Sequence, residues 1–458
     1  MNLLDAAYAV TLGPHYCWHR LVTGRYGSKA GEKTGRPPDR FRSSETAAAG
    51  SPGNFREAPC LWLHAVSVGE AAAAAELGKL FLASHPLWDI RVSTTTATGR
   101  KVAERHFGVE NVVYFPLDFS GMVARAFARL RPSLVVLMEL EIWPNFLAEA
   151  ARRGVPVAVA NARITERSAR RLAWVPWLAR RMAMAVDEWY VQTNEYAERL
   201  RRIGVPDERI EVAGSIKYDS IPETIDPDEG RFYRRLFGCG ELYRHEGGAS
   251  ALAVAGSTHP GEEAVFLAAL CAAAPTGAGR PLAVLAPRHP ERLDEVEKLA
   301  RPFGKVRRRS SLPELPPPGG SLEREADIIL IDSLGELARI YGAADFAFVG
   351  GTLIRHGGQN FMEPCGLGKP TAVGPHLWNF QEPAELLIGA GLLRRVDGPD
   401  GLRQAMAEWL ADPAAAAELG ERARGELLKR RGAARRMADR LDALARRATR
   451  MEPDLNGV

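Results

Sequence analysis

Cysteine is scarce in this chain. The five cysteines (Cys17, Cys60, Cys239, Cys271 and Cys365) are scattered and odd in number, and no pair has metal-ligand spacing. That excludes a disulfide framework and a cysteine-based metal site, and it leaves buried thiols in a reducing compartment as the expectation. A charge excess is also missing: 60 basic against 56 acidic residues leave a net +4, which gives no basis for a nucleic-acid partner. No long apolar run is present. Met1–Leu21 carries Leu3, Leu4, Ala6, Ala7, Tyr8, Ala9, Val10 and Leu12, but Asp5, Pro14, His15 and His19 interrupt it. It falls short of the roughly 20 apolar residues of a spanning helix, and it lacks a secretory signal pattern. The spacings of the dinucleotide fingerprint and of the P-loop are absent as well.

What is present is the composition of a soluble globular protein, 46% hydrophobic and 25% charged, long enough at 458 residues for two or three domains. Residues 1–59 comprise a short apolar segment, basic residues (Arg20, Arg25, Lys29, Lys33, Arg36) and a loop rich in Pro, Ser and Gly over Gly35–Pro59. The first segment fits a helix lying on an anionic membrane face, and it fits equally an ordinary first helix packed on the core. From Cys60 onward, apolar strand-like runs alternate with helical stretches. This pattern predicts a doubly wound parallel sheet over 60–218, with strands such as Leu134–Met138 and one long basic helix over Thr165–Val186. The polar stretch Asp219–Gly248 reads as the interdomain boundary, with a linker over 219–250. The pattern resumes over 251–412, giving a second domain of the same class. Pro413–Thr449 reads as a final helix within 413–450, with Asp412 as N-cap, Pro413 in the first turn, and internal glycines able to break it. Its end collects eleven Lys/Arg against four acids between Glu421 and Arg450. A solvated face explains such a run, and so does attraction to anionic lipid. Two such halves are expected to face each other across a cleft at the carboxyl edges of their sheets, where open α/β sheets bind ligands.

The residues able to do chemistry sit at strand ends. His64-Ala65-Val66-Ser67-Val68-Gly69-Glu70 puts Glu70 at a helix start, as a general base for a substrate hydroxyl or as a capping residue. Glu139 and Glu141 end another strand, ahead of Trp143 and Pro144, and point to one side if the strand continues. In the second half, Gly256–Glu262 and Pro287-Arg288-His289-Pro290 are strand-to-helix turns suited to an anion. The run Gly350–Pro364 holds two glycine pairs, Gln359-Asn360 and Glu363, between an apolar strand and a stretch that can start a helix. That arrangement predicts a phosphate cradle. Lys217, in Gly214–Asp219, is a candidate cation where the halves meet.

Taken together, HAVSVGE (64–70), TTTATG (94–99), YFPLD (114–118), ELEIWPN (139–145), NARIT (161–165), GSIKYD (214–219), GSTHPGEE (256–263), PRHPER (287–292), GEL (335–337) and VGGT…GGQNFMEP (349–364) resemble the bacterial 3-deoxy-D-manno-octulosonic acid (Kdo) transferases, in the family's order. The resemblance implies a GT-B glycosyltransferase with two Rossmann-like domains, at the cytoplasmic face of the inner membrane. It implies inverting transfer of Kdo from CMP-Kdo to a lipid A precursor, with no metal and no cofactor beyond the donor. It casts Glu70 as general base and Glu141 as a second carboxylate on the acceptor side. Ser257, Thr258, Pro287, Arg288, His289, Gly351, Gly357, Gly358, Gln359, Asn360 and Glu363 would hold the CMP moiety, with Glu363 on its ribose. Ser67, Gly69 and Lys217 would serve the substrate or the leaving phosphate. Gln359 stands where the family usually has His, and GSIKYD where it usually has GNLKFD. A GT-B enzyme for another nucleotide sugar, or a silent nucleotide- and lipid-binding homologue, would share many of these motifs.

Overall fold

The computed structural model describes residues 58–223, 226–240, 250–274, 280–314 and 323–450. The Met1–Leu21 segment and nearly all of the Gly35–Pro59 loop lie outside the described residues. Two compact units emerge, one ending at Asp219 and resuming at Gly432, the other running from Ser220 to Arg431.

The first unit is built on seven parallel strands: β1 (Cys60–His64), β2 (Asp89–Thr94), β3 (Val112–Tyr114), β4 (Leu134–Met138), β5 (Val157–Ala162), β6 (Glu188–Val191) and β7 (Ile210–Val212). Their order is β3-β2-β1-β4-β5-β6-β7. β1, β4 and β5 are buried at every position, as continuous apolar runs require when helices cover both faces of a sheet. One face packs Trp62 against Phe127 and Phe146, with ring centroids 5.2 and 5.0 Å apart. The other face buries Leu61, Leu63, Leu77 and Phe81 under Met437, Leu441 and Leu444 of the last helix, Ala433–Arg450.

The second unit has β8 (Leu252–Thr258), β9 (Leu282–Pro287), β10 (Val306–Arg308), β11 (Ile328–Leu330), β12 (Phe346–Val349), β13 (Thr371–Val373) and β14 (Arg394–Arg395). All are parallel, in the order β10-β11-β9-β8-β12-β13-β14. Phe266, Phe346, Phe348 and Trp409 lie in its core, with the helix Pro399–Ala411 set against Glu262–Ala273. In each unit the strand order reverses at one point, between β1 and β4 and between β8 and β12. The loops leaving those strands diverge there and open a crevice at the carboxyl edge. This is the α/β, doubly wound class expected from the sequence.

Three expectations need correction. Thr165–Val186 is two helices, Glu166–Ala173 and Pro176–Met184. Pro176 has no N–H to continue the first helix and pushes Val175 out of helical geometry (φ −128°, ψ 68°). The expected linker over 219–250 carries the helix Pro227–Leu236, started by Asp226 and Pro227. Its buried Arg234 donates to the Ala343 carbonyl at 3.1 Å and to Asp345 Oδ2 at 2.9 Å, which ties it to the start of β12. Finally, Pro413–Leu428 and Ala433–Arg450 are separate helices that belong to different units, parted at Gly432 (φ 89°). Asp412 caps the former through Ala415 N–H at 3.0 Å. Asp219 caps the latter by accepting from the N–H groups of Gly432 and Ala434.

The basic surplus of this last stretch is largely engaged within the chain. Arg431 pairs with Glu223, Arg435 with Asp439, Arg440 with Glu211, Arg446 with Asp442 and Arg447 with Asp187. The run acts chiefly as a staple and has few unpaired cations to offer a lipid surface.

Gly256 at the end of β8 tests the packing of the second unit. A Cβ there would lie 1.8 Å from the Tyr341 hydroxyl, whose ring is fully buried. Gly256→Ala is expected to cost about 2 kcal/mol or more, read by urea unfolding, with faster hydrogen exchange confined to the second sheet.

Candidate active site

In the first unit, the loops after β1 and β4 flank the switch point, since His64 pairs with Leu137 across those strands. Ser67 starts the helix Val68–Ser84, its Oγ accepting from Glu70 N–H at 3.3 Å. Glu70, 9% exposed, turns Oε2 back onto Val66 N–H at 3.0 Å. The capping arrangement is therefore real, and it fixes one oxygen of the carboxylate. Oε1 has no hydrogen-bond partner among the described residues. Thr96 braces the same loop by donating to the Val66 carbonyl at 2.8 Å. Gly99 lets the two loops approach, because a Cβ there would sit 2.8 Å from Val66 O. Gly69 is different. It is exposed, and a Cβ would meet nothing within 4 Å. Packing does not demand glycine there.

β4 ends at Met138, and Glu139 takes a left-handed φ of 57°. The strand does not continue, so the expectation that Glu139 and Glu141 follow strand alternation fails. Both still feel Glu70. Burial raises the Glu139 carboxyl above its ordinary range and the Glu70 charge adds to this, while Lys217 and Arg163 oppose it. Burial likewise raises Glu141, against a hydrogen bond from Trp143 Nε1 (3.0 Å), with Glu70 and Glu139 adding to the rise. Lys217, itself exposed, thus stands with these acids in the first unit.

His64, which the sequence reading did not single out, completes the group. It is fully buried, stacked on Phe115 at 3.9 Å, with Nδ1 3.0 Å from the Ser93 carbonyl. Burial drives its pKa down to about 3, so the ring is neutral and donates Nδ1–H to that carbonyl. Nε2 is then an acceptor, without a hydrogen-bond partner among the described residues and 3.9 Å from Glu141 Oε2. Asp118 holds the other end of the loop. Its carboxylate accepts from Asn145 N–H (3.0 Å) and Phe146 N–H (2.8 Å) at the start of the helix Pro144–Arg153. Asn161 (φ 55°) anchors the Lys217 segment through Ile216 N–H at 3.1 Å.

In the second unit, the cradle expected at Gly351 is already filled. Glu262, 1% exposed, accepts from Gly351 N–H (2.7 Å), Thr352 N–H (3.1 Å), Leu353 N–H (3.0 Å) and His259 N–H (2.9 Å). These amides form an anion nest whose anion is the chain's own carboxylate. Gly350 permits the approach, as a Cβ there would lie 2.5 Å from Ser257 O. Thr258 is also withdrawn from a ligand role. Fully buried, it donates to Glu263 Oε1 at 2.8 Å, and Glu263 is held by the two terminal guanidinium nitrogens of Arg292 (2.8 and 3.3 Å). The helix after the glycine loop, Met362–Gly366, is barely more than one turn, so the expected helix dipole is slight. Asn360 donates to Glu363 at 3.0 Å and caps Met362 N–H at 3.2 Å. Gly357 (φ 98°) leaves room for Trp378 Nε1, 2.4 Å from where its Cβ would be. Gly358 (φ 86°) hands its N–H to the Gly351 carbonyl at 2.8 Å.

The remaining residues gather into a basic group. Pro287 ends β9. Arg288 and His289 follow it at the surface, with Arg288 N–H on the Thr258 carbonyl at 3.0 Å. His259 lies 4.2 Å from the ring of His356, 5.5 Å from that of His289, and 3.2 Å (Nε2 to Nε2) from the Gln359 amide. Burial, together with the nearby His356, His289, Arg292 and Arg288, lowers the His259 pKa to about 4. Ser257 (φ 53°) is half-buried beside it. Sequence reasoning passed over His259 and His356, although each lies inside a quoted motif. Among the described residues no group of three or more His, Cys, Asp or Glu is placed to hold a metal ion.

The crowding of acids in the first unit has a measurable consequence. A carboxyl whose pKa is raised on folding stabilises the fold when protonated, and this contribution is lost as pH rises through the folded pKa. Glu141→Gln should therefore raise folded stability at neutral pH, and the gain should vanish as pH falls through the carboxylate range. Urea unfolding of both proteins across pH checks this.

Comparison with known proteins agrees with this reading of the motifs. A profile of the family described as 3-deoxy-D-manno-octulosonic-acid transferase (kdotransferase) matches residues 31–220. The chain is 36% identical over 392 residues to a 3-deoxy-D-manno-octulosonic acid transferase of Bordetella pertussis, covering 83% of this chain and 86% of that one. It is 33% identical over 388 residues to the enzyme of that name from Haemophilus influenzae, with the same coverage. Among solved structures, a UDP-GlcNAc 2-epimerase of Neisseria meningitidis bound to UDP-GlcNAc superposes with a TM-score of 0.53 at 13% identity, over 84% of this chain and 100% of that one, and so shares the fold. With Glu70 and Glu141 at one switch point, a histidine–arginine group at the other, and these relatives over most of its length, the chain belongs to the 3-deoxy-D-manno-octulosonic acid transferase family of GT-B glycosyltransferases.

Proposed function

We propose that the protein transfers Kdo from CMP-Kdo to a lipid A precursor, with inversion and without a metal, at the cytoplasmic face of the inner membrane. The observation that carries this reading is the pair of opposite sites on one family scaffold. The first unit gathers carboxylates around Glu70, and the second gathers cationic or protonatable groups around His259 and Arg288. An acceptor hydroxyl needs a base, and a nucleotide phosphate needs positive charge.

In the proposed step the acceptor oxygen attacks the anomeric carbon of Kdo while its proton passes to Glu70 Oε1. The bond from that carbon to the phosphate oxygen breaks, and CMP leaves carrying the electron pair. Anchoring Oε2 on Val66 N–H holds the base still. The neutral His64 and the crowded Glu139 and Glu141 keep the acceptor side short of positive charge, and Lys217 offsets part of the repulsion. Arg288, with His259, His289 and His356 beside Ser257 and Gln359, stabilises the leaving phosphate electrostatically. Gly69, not required by packing, leaves space for the acceptor next to the base.

Glu70→Gln is expected to lower transfer by about a hundredfold or more and to leave CMP binding intact. Purified protein, CMP-Kdo made in place and a tetra-acylated lipid A precursor, with EDTA present, supply the assay, and mass spectrometry reads the acceptor. No mass gain with the parent protein would overturn the proposal, and stronger competition by UDP than by CMP would move the donor to another nucleotide sugar.

CMP binding offers a second check. Burial and the neighbouring cations hold the His259 pKa near 4, and a phosphate beside it offsets both, so binding should take up protons below neutral pH. Calorimetry in buffers of different ionisation enthalpy should show this uptake, reduced in His259→Gln.

A further inference from the structure

Between β5 and β6 the first unit carries a helical hairpin, Glu166–Ala173 and Pro176–Met184, with no long apolar stretch and an unusual surface. Trp174 is 87% exposed, Trp177 65%, Met184 46% and Val175 39%. Indole side chains carry a large apolar area that globular proteins normally bury. Here two of them lie three residues apart at the turn. Exposed arginines accompany them at matching helical intervals. Arg167, Arg170, Arg171 and Trp174 are spaced i, i+3, i+4, i+7, and so are Trp177, Arg180, Arg181 and Met184. Each set therefore shares one side of its helix.

The charge on this hairpin is uncompensated. Of its arginines, Arg170 pairs with Glu166 at 3.2 Å, while Arg167, Arg171, Arg180 and Arg181 make no ion pair among the described residues. Glu166 is the hairpin's one acid, and Arg199 and Arg202 also hold it, at 3.3 and 2.6 Å. The contrast with the last helix is direct, because the arginines there are neutralised by acids of their own unit. Exposed indoles with unpaired guanidiniums are the composition of an interfacial anchor. Trp seats at the headgroup level with its apolar body inward, and Arg takes the lipid phosphates.

We infer that the Trp174–Trp177 hairpin is a docking surface for an anionic lipid bilayer, with the indoles entering the interface and Arg167, Arg171, Arg180 and Arg181 contacting headgroup phosphates. This reading uses the proposed lipid-linked acceptor only to explain why a surface would be of use. Vesicle binding is measured without donor or acceptor, so its failure would leave the transfer reaction standing.

The test is co-sedimentation of the full chain with vesicles of phosphatidylcholine, alone or mixed with phosphatidylglycerol. Binding should require the anionic lipid and weaken with salt. Arg171→Gln, Arg180→Gln and Arg181→Gln should each lower the partition about fivefold, as expected for one basic residue near an anionic surface. Trp174→Ser with Trp177→Ser should reduce binding by about tenfold or more, and should abolish the extra quenching of tryptophan fluorescence by brominated lipid. The variants change exposed side chains, and circular dichroism confirms their fold. With a detergent-dispersed acceptor they should transfer at the parent rate, and with the acceptor in vesicles they should lose rate. Vesicle binding equal to the parent's in every variant would overturn the inference, as would a parent that binds no vesicle. Loss of a dimer in the tryptophan variant, with vesicle binding unchanged, would overturn it in favour of contact between copies.

Discussion

The loops that carry this protein's chemistry are held in place by carboxylates that accept backbone N–H groups. A parallel sheet ends in a fringe of amides that leave the ladder, and each must find an acceptor if it is withdrawn from water. Glu70 takes Val66, Asp118 takes Asn145 and Phe146, Asp219 takes Gly432 and Ala434, and Glu262 takes four amides around the glycine loop. Each joins segments that the chain alone would leave loose, and Glu262 does so across 89 residues of sequence. A charged hydrogen bond to buried amides is strong and directional, which suits sites whose side chains must stay where they are.

One topology therefore supports two opposite electrostatic environments. In the first unit a bound carboxylate, Glu70, sits at the switch point, and the neighbouring acids and the neutral His64 leave the crevice poor in positive charge. In the second unit the structural carboxylates, Glu262 and Glu263, are sunk beneath the loops and neutralised by amides and by Arg292. What remains near the surface is basic. The sign of each crevice follows from whether its acids are buried as clamps or left at the loop surface.

Much of this was legible in the sequence because burial on both sides of a sheet leaves continuous apolar runs. Leu134–Met138 is a strand over the residues expected, and the apolar strand expected before the glycine loop is Phe346–Val349. The helix Pro227–Leu236 was read as irregular because the stretch is rich in charge, and a guanidinium, Arg234, shares its buried face with Tyr233 and Leu236. The break at Pro176 was missed because apolar and basic residues continue across it. Glu70 and Glu141 could be placed from strand ends alone. The ligand of the glycine nest could not, because two glycines signal an anion without saying whether the chain supplies it. The depressed pKa of His259 depends on burial and on neighbours from two other loops, a relation no linear pattern records.

The last helix, Ala433–Arg450, has a consequence for how the protein is made. It covers Leu77 and Phe81 on one face of the first sheet, and it is the final described element of the chain. During synthesis all seven strands of that sheet leave the ribosome long before their cover does, and the whole second unit is translated in between. The first unit must then wait as an incomplete layer with an apolar face open to water, although domains of most proteins fold in the order they emerge. The second unit, contiguous from Ser220 to Arg431, can close first. The first unit can therefore be closed only after the second has been translated, and the growing chain carries an open apolar face throughout that interval.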